Sequence, residues 1–307
     1  MTSLAQLAAK KANLQARCRI IQLIRRFFHA RDFLEVRTPV RTRAPAPEPY
    51  IEAIPSAGWF LAPSPELYMK RLLAAGYQKI FQIAPAFRWN ETGRLHHSEF
   101  TLLEWYRADA DHEALQQDCI ELITEISVGL DQFPLISFQG HTLSVAGRWP
   151  RITVAEAFER WAGWCPGPDP DQQRFDLDLV THVEPRLGFP TPGFLTDYPA
   201  GQAALARLKP GCPEVAERFE LYWAGIELAN GFSELTDPRE QRRRFQDTLE
   251  RRRLAGCSVY PLPEAFLDAL RHLDRAAGIA LGIDRLVAIF TNAYDLDQVV
   301  AFPPHRD

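Results

Sequence analysis

Residues 87–106 read FRWNETGRLHHSEFTLLEWY, and the layout of this stretch decides the fold. Side chains alternate between the two faces of a strand. Over Glu99–Tyr106, one face therefore carries Phe100, Leu102, Glu104 and Tyr106, and the other carries Glu99, Thr101, Leu103 and Trp105. Residues 79–90 read as a partner strand, with a glycine-containing turn between the two, so the pair predicts an antiparallel hairpin. Glu104 then shares its face with two apolar residues and a tyrosine, where a carboxylate without a partner is costly to bury. Taken alone, the stretch leaves three readings open: a half-wet face, an ion pair with an internal arginine, or a bound ligand.

A second stretch narrows them. In GIELANGFSELTD (225–237), alternation places Leu228, Asn230, Phe232 and Glu234 together and Glu227 on the opposite side. Residues 219–235 read as another hairpin turning at Gly225, with Glu220 on its first strand. Glu66 stands at a helix start in Ser64-Pro65-Glu66, and Arg88 and Arg285 lie in the first hairpin and near the C-terminus. The chain thus holds acids suited to ammonium or Mg²⁺ and arginines suited to phosphate or carboxylate.

Outside these stretches, apolar spacing predicts a helix over residues 4–31 and a short strand in RDFLEVRTPV that Pro39 stops. A proline-rich loop spans 43–55, and helices are expected over 67–75 and 113–128. Residues 129–215, rich in Pro, Gly and Trp, read as connecting structure around one helix (153–161) and one strand (193–198). Residues 237–253 form a charged helix capped by Asp237. AGIALGIDRLVAIFTN (277–292) reads as a glycine-interrupted strand running into a helix. No regular β-α-β alternation is present, so the fold class is α+β, an antiparallel sheet flanked by helices.

Composition bounds the function. The 307 residues are 46% hydrophobic with a formal net charge of −4, so no broad basic field marks nucleic acid as the main partner. Five cysteines without a CxxC pair argue against a structural zinc or a disulfide framework and fit a reducing cytoplasm. No apolar run approaches the roughly 18 residues of a membrane span.

The chain resembles the catalytic domain of class II aminoacyl-tRNA synthetases, of the lysyl-tRNA synthetase type. Three motifs carry the resemblance in order: FHARDFLEVRTPV (28–40), a dimer-forming element in that family; FRWNETGRLHHSEFTLLEWY, its ATP-binding hairpin; and GIALGIDRLVAIF (278–290), which holds its ATP-binding arginine. The resemblance extends over essentially the whole chain and implies one catalytic domain over residues 1–307. The first motif starts within about 30 residues, which leaves no room for the anticodon-binding barrel of lysyl-tRNA synthetases. A free-standing lysyl-type domain is similar to the ligase family that activates (R)-β-lysine with ATP and attaches it to a lysine of elongation factor P, a protein that mimics tRNA in shape.

The resemblance implies roles residue by residue. Arg88 and Arg285 would be catalytic, holding the α-phosphate with the substrate carboxylate and the nucleotide phosphates respectively. Phe100 would stack on adenine and His96 would face the triphosphate. Trp89, Asn90, Glu91, His97, Leu228 and Gly282 would complete the ATP site, and Glu220 and Glu227 would hold Mg²⁺. Glu104, Tyr106 and Glu234 would receive the side-chain ammonium of β-lysine or lysine. Glu66, with Ser64 and Pro65, would receive the other amine, while Asn230, Phe232 and Ala280 would shape the pocket. Ala280 stands where lysyl-tRNA synthetases usually have glycine, and its methyl suits an amine moved from the α to the β carbon. Two departures bear on ATP. Trp89 is inserted in the usual Arg-Asn-Glu order, and His97 replaces an asparagine.

Elongation factor P is the expected protein partner, in a homodimeric, cytoplasmic enzyme with no membrane association and no tRNA substrate. Two other readings compete: an ammonia-dependent asparagine synthetase, whose aspartate pocket should be basic, and a paralogue that has lost catalysis.

Overall fold

The computed structural model describes residues 2–304. Nine strands form the main sheet: β1 (Leu34–Glu35), β2 (Lys79–Phe87), β3 (Glu99–Ala108), β4 (Arg151–Thr153), β5 (Gly193–Pro199), β6 (Leu208–Lys209), β7 (Cys212–Trp223), β8 (Ile226–Ser233) and β9 (Ala276–Gly282). They run in the order β1-β2-β3-β9-β8-β7-β5-β4, and β6 pairs with β7 off this path. The interior pairs are antiparallel, and a parallel pair closes each edge, β1 on β2 and β4 on β5. The expected α+β architecture is what the chain adopts.

The two faces of β3 divide as alternation requires. Leu103 and Trp105 enter the main core, under helices α1 (Lys11–His29), α3 (His112–Gly129) and α5 (Ile283–Phe290). Phe28 is the hub of that core, packed against Phe27, Phe33, Phe81 and Trp105 at ring-centroid distances of 4.8–5.3 Å. The opposite sheet face stays partly open. A second cluster closes one end of it, formed by α2 (Glu66–Ala74), Tyr106, Phe245 of α4 (Pro238–Leu254) and Phe266.

Helix boundaries follow local chemistry. Ser64 Oγ accepts from the Glu66 amide at 3.0 Å as α2 begins, and Asp237 caps α4 by accepting from the Arg239 and Glu240 amides. The helix expected over 4–31 is interrupted at Lys10, so a short Leu4–Ala9 segment precedes α1. The middle of the chain needs correction. It contains a Leu135–Phe138/His141–Ser144 hairpin, β4, a Gln172–Asp178 helix and β6. β7 also begins at Cys212, well before the expected Phe219. Proline and glycine punctuate this region so densely that short pairings look like loop, and partners far along the chain stabilise them.

Phe28→Ala removes the ring on which four aromatic residues converge. It should lower the unfolding free energy by about 3–5 kcal/mol, read by urea denaturation.

Candidate active site

A pocket of about 390 Å³ opens on the free face of the sheet, beneath the proline-rich loop. Phe100, Leu102, Glu104 and Tyr106 of β3 line it, with Asn230 and Phe232 of β8 and Gly278 and Ala280 of β9 alongside. Ala280 sits between Glu104 and Asn230, its register partners on the two flanking strands.

One end of the pocket is acidic. Glu104 is 1% exposed; Oε1 accepts from Ser64 Oγ at 2.6 Å and Oε2 from the Tyr106 hydroxyl at 2.7 Å. Burial, reinforced by the Glu66 charge, pushes its carboxyl up to about 7. Glu234 is pushed to about 8 by burial, against the pull of Lys70. The Lys70 ammonium is 2% exposed, 2.6 Å from Glu66 Oε1 and 2.5 Å from Glu234 Oε2, with the Phe232 ring centroid 5.0 Å away. This ammonium stands between two acids, one on α2 and one just past β8. Three carboxylates, Glu66, Glu104 and Glu234, thus share one internal ammonium. Burial of more acid than cation raises the proton affinity of Glu104 and Glu234.

Gly278 makes this arrangement possible. A Cβ there would collide with the Tyr106 ring and stand 2.5 Å from Glu234 Oε1. The backbone of β9 passes so close beneath both groups that only hydrogen fits.

The other end is suited to anions. The Arg88 guanidinium lies 5.0 Å from the Phe100 ring centroid and 3.4 Å from Glu91, and its buried Nε has no partner. Arg285 donates to the Glu227 carbonyl at 2.8 Å and lies 3.2 Å from Glu227 Oε2. Its Nη2 stands 2.8 Å from His96 Nε2. Burial, with Arg285 next, lowers the His96 pKa. A neutral His96 accepts this contact through Nε2, which puts its proton on Nδ1. His97 is buried, with Nε2 3.0 Å from Asp297.

A β-bulge corrects one expectation. Leu221 pairs with Ala229 but Tyr222 pairs with Glu227, leaving Leu228 as the extra residue. Leu228 turns into the main core, and Glu227 reaches the pocket face instead of the opposite one. Glu220 lies behind the lining, 6% exposed, accepting from Arg218 and the Tyr222 hydroxyl, each at 2.7 Å. Burial, then repulsion from Glu227, raises its pKa. Glu184, carried in from the middle region, reaches the Tyr222 hydroxyl at 3.1 Å, and burial with the Glu220 charge pushes it to about 7. Among the described residues, no group of three or more His, Cys, Asp or Glu is placed to hold a metal ion.

The pocket brings together Ser64, Glu66, Arg88, Glu91, His96, His97, Phe100, Glu104, Tyr106, Glu227, Leu228, Asn230, Phe232, Ala280, Gly282 and Arg285. Glu220 and Glu234 stand just behind the wall. Pro65 supports the start of α2 rather than the lining. Trp89 and Asn90 are not in the lining: Trp89 is 53% exposed, and Asn90 takes a left-handed turn conformation with φ 61°. Sequence reading missed Lys70, Arg218, Glu184 and Glu48. The first was within reach, since Lys70 follows Glu66 by four residues on one helix face, and Arg218 alternates with Glu220 on β7. Glu184 begins a short 3-10 turn and Glu48 lies on an irregular segment, and neither is long enough to carry a periodic signal.

The family model described as tRNA synthetases class II (D, K and N) matches residues 4–306. The chain is 38% identical over 320 residues to a Vibrio atlanticus protein named elongation factor P–(R)-β-lysine ligase, with 99% of each chain covered. It is 39% identical over 318 residues to the protein of that name from Pectobacterium carotovorum, covering 98% of each. The Vibrio cholerae protein of that name is 36% identical over 312 residues, covering 96% of each.

Two outcomes follow from this geometry. Gly278→Ala should lower stability by about 1–3 kcal/mol by overpacking and weaken binding of small diamines, read by thermal unfolding and calorimetry. Glu104 and Glu234 have folded-state pKa values above the ordinary 4.5. Their contribution to folding is complete below that value and is lost as pH rises through 7 and 8. The ligand-free protein should therefore lose stability progressively between about pH 4.5 and 8, and Glu104→Gln should flatten that decline in urea titrations.

Proposed function

The chain belongs to the class II tRNA synthetases of the D, K and N group, and from that premise we propose that its pocket activates (R)-β-lysine as an adenylate. The activated acyl group then passes to a lysine side chain of elongation factor P. The chain is an ATP-dependent ligase. The observation that carries the substrate reading is the placement of three carboxylates around one internal ammonium at the floor of the pocket. A diamino acid supplies the missing positive charge, whereas aspartate would bring negative charge to an acidic wall. Arg88, Arg285 and His96 at the anionic end oppose the reading of a paralogue without catalysis.

In the first step, a substrate carboxylate oxygen attacks the α-phosphorus of ATP. The bond from that phosphorus to the bridging oxygen breaks, and pyrophosphate leaves. Negative charge spreads over the phosphoryl oxygens in the transition state, so preorganised guanidinium groups are the main protein contribution. Arg88, which lines the pocket beside Phe100, would span the substrate carboxylate and the α-phosphate. Arg285, held by the Glu227 carbonyl and His96, would meet the outer phosphates, and Phe100 would provide the stacking face for adenine. Glu104, Tyr106 and Glu234 would hold the distal ammonium, and Glu66 the one nearer the carboxylate. In the second step, a protein lysine amine attacks the acyl carbon, the amide bond forms, and AMP leaves with the amine having lost a proton. Approach of the two reactants in one site supplies much of this rate.

Glu220 and Glu227 would hold Mg²⁺. Burial, and after it repulsion from Glu227, raises the Glu220 pKa, and a cation would relieve the repulsion; Mg²⁺ commonly takes one or two carboxylates with phosphates filling its shell. When bound, it neutralises phosphate charge. Helix α1 and the strand ending at Pro39 would form the homodimer contact. The working unit would be a single catalytic domain in the cytoplasm, with tRNA not a substrate. No helix among the described residues is long and apolar enough to cross a membrane.

ATP–pyrophosphate exchange with (R)-β-lysine, L-α-lysine, L-aspartate or no amino acid tests the reading. Exchange should be strongest with β-lysine, and exchange with none would overturn it. Arg88→Ala should cut the exchange rate by about 100-fold or more without a comparable loss of stability. Ala280→Gly should shift the preference towards α-lysine, read as the ratio of kcat/KM values.

A further inference from the structure

Arg252 of α4 is an internal guanidinium, with its side chain 1% exposed. Its donors are all used on neighbouring segments. Nε donates to the Ser258 carbonyl at 2.8 Å, and Nη1 donates to the carbonyls of Glu48 and Ile51 at 2.7 and 3.0 Å. Nη2 binds the Glu52 carboxylate and the Tyr260 hydroxyl. Tyr260 in turn accepts from the Ala53 amide at 2.8 Å, and the Glu52 carbonyl accepts from the Trp89 amide at 2.7 Å. A proline-rich segment with no regular structure is thereby fixed at five points within six residues. So many donors on one short loop define its path, and with it the position of whatever it presents.

It presents Glu48. This side chain lines the pocket beside Ser64, Glu66 and Arg88. Among the described residues, no hydrogen bond or ion pair reaches its carboxylate. Its surroundings are Glu66, Arg88, Arg218 and Lys70, and burial with the Glu66 charge pushes its carboxyl up to about 7. This is the end of the pocket where Arg88 waits for a carboxylate, opposite the Glu104–Tyr106–Glu234 floor. An ammonium close to the reacting carboxylate of a diamino acid falls between Glu48 and Glu66.

We infer that Glu48 is a substrate-binding residue that accepts the ammonium nearest the reacting carboxylate, and that Arg252 is the positioning residue that sets it there. The inference rests on the diamino-acid reading above. Glu66 is already committed to Lys70 through one oxygen, so it offers the incoming amine only part of its acceptor capacity. Glu48 supplies a second acceptor from the far side. Two acceptors from two separate segments select an amine at a defined distance from the carboxylate, which is how a β-amine is told from an α-amine. The loop 48–53 is then part of the specificity pocket and not only a cover.

The test uses Glu48→Gln, a partly exposed and nearly isosteric change, in ATP–pyrophosphate exchange. The substrates are (R)-β-lysine, 6-aminohexanoate, which lacks the β-amine, and 3-aminohexanoate, which lacks the distal amine. Glu48→Gln should raise KM for β-lysine about tenfold or more, with kcat and the KM for ATP within about twofold, because the contact acts alike in ground and transition states. The preference of the unmodified protein for β-lysine over 6-aminohexanoate should shrink by a similar factor, while its preference over 3-aminohexanoate persists. Unchanged KM and preferences, or equal loss of both preferences, would overturn the assignment. If the unmodified protein shows no exchange with β-lysine, the diamino-acid reading itself fails, and that outcome is distinct from failure of the Glu48 assignment. A thermal melt of Glu48→Gln within a few degrees of the unmodified protein separates a binding loss from unfolding.

Discussion

The Lys70 ammonium between Glu66 and Glu234 is the interaction on which the pocket depends. A charge with 2% exposure would be expensive to bury alone, and so would each of its partners. Together they join α2 to β8 across the free face of the sheet. The join fixes Glu66 at the start of its helix, holds Glu234 against the close-passing backbone of β9, and sets the width of the space left to Glu104. Removing the lysine charge would leave acids whose mutual repulsion and desolvation have no internal relief.

The pocket is therefore polarised along its length. One end carries more carboxylate than cation, and the other carries two guanidinium groups, Arg88 and Arg285. A ligand that bridges the two must be cationic at one end and anionic at the other, with a nucleotide's phosphates crowding the anionic side. An amino acid with a second amine meets that description. The sheet contributes rigidity: the groups on β3, β8 and β9 are placed by strand register, while Arg88, Glu91, His96 and His97 sit on the loop between β2 and β3 and Glu48 on the proline-rich segment.

Much of this was legible in the sequence because strand alternation is a strong rule. The pairing of Phe100, Leu102, Glu104 and Tyr106 on one face follows directly from spacing, as does the separation of Leu103 and Trp105 into the core. The Ser64 hydroxyl that accepts from the Glu66 amide and the Asp237 cap are local chemistry. The resemblance placed Glu227 at the nucleotide site, but its face was misassigned because alternation assumes one residue per pairing step and Leu228 breaks that count. The strands between 129 and 215 escaped because their stability comes from partners far away in the chain. Lys70 was written in plain spacing from Glu66, but helix spacing alone does not say whether a pair is solvated or enclosed.

The bulge at Leu228 has a consequence in parity. On β8, Glu227 and Asn230 are three residues apart yet share a face, so this strand changes frame once along its length. Everything before the bulge obeys odd counting and everything after it even. Pairing the strand without its bulge, every residue kept, would restore uniform counting, turn Glu227 towards the hydrocarbon core and Leu228 towards the phosphates, whereas deleting Leu228 would leave Glu227 on the face of Asn230. A swap of Leu228 for another apolar residue would leave the frame intact. The face that Glu227 takes is therefore set by how residues are counted into pairs, and not by which apolar side chain stands at 228.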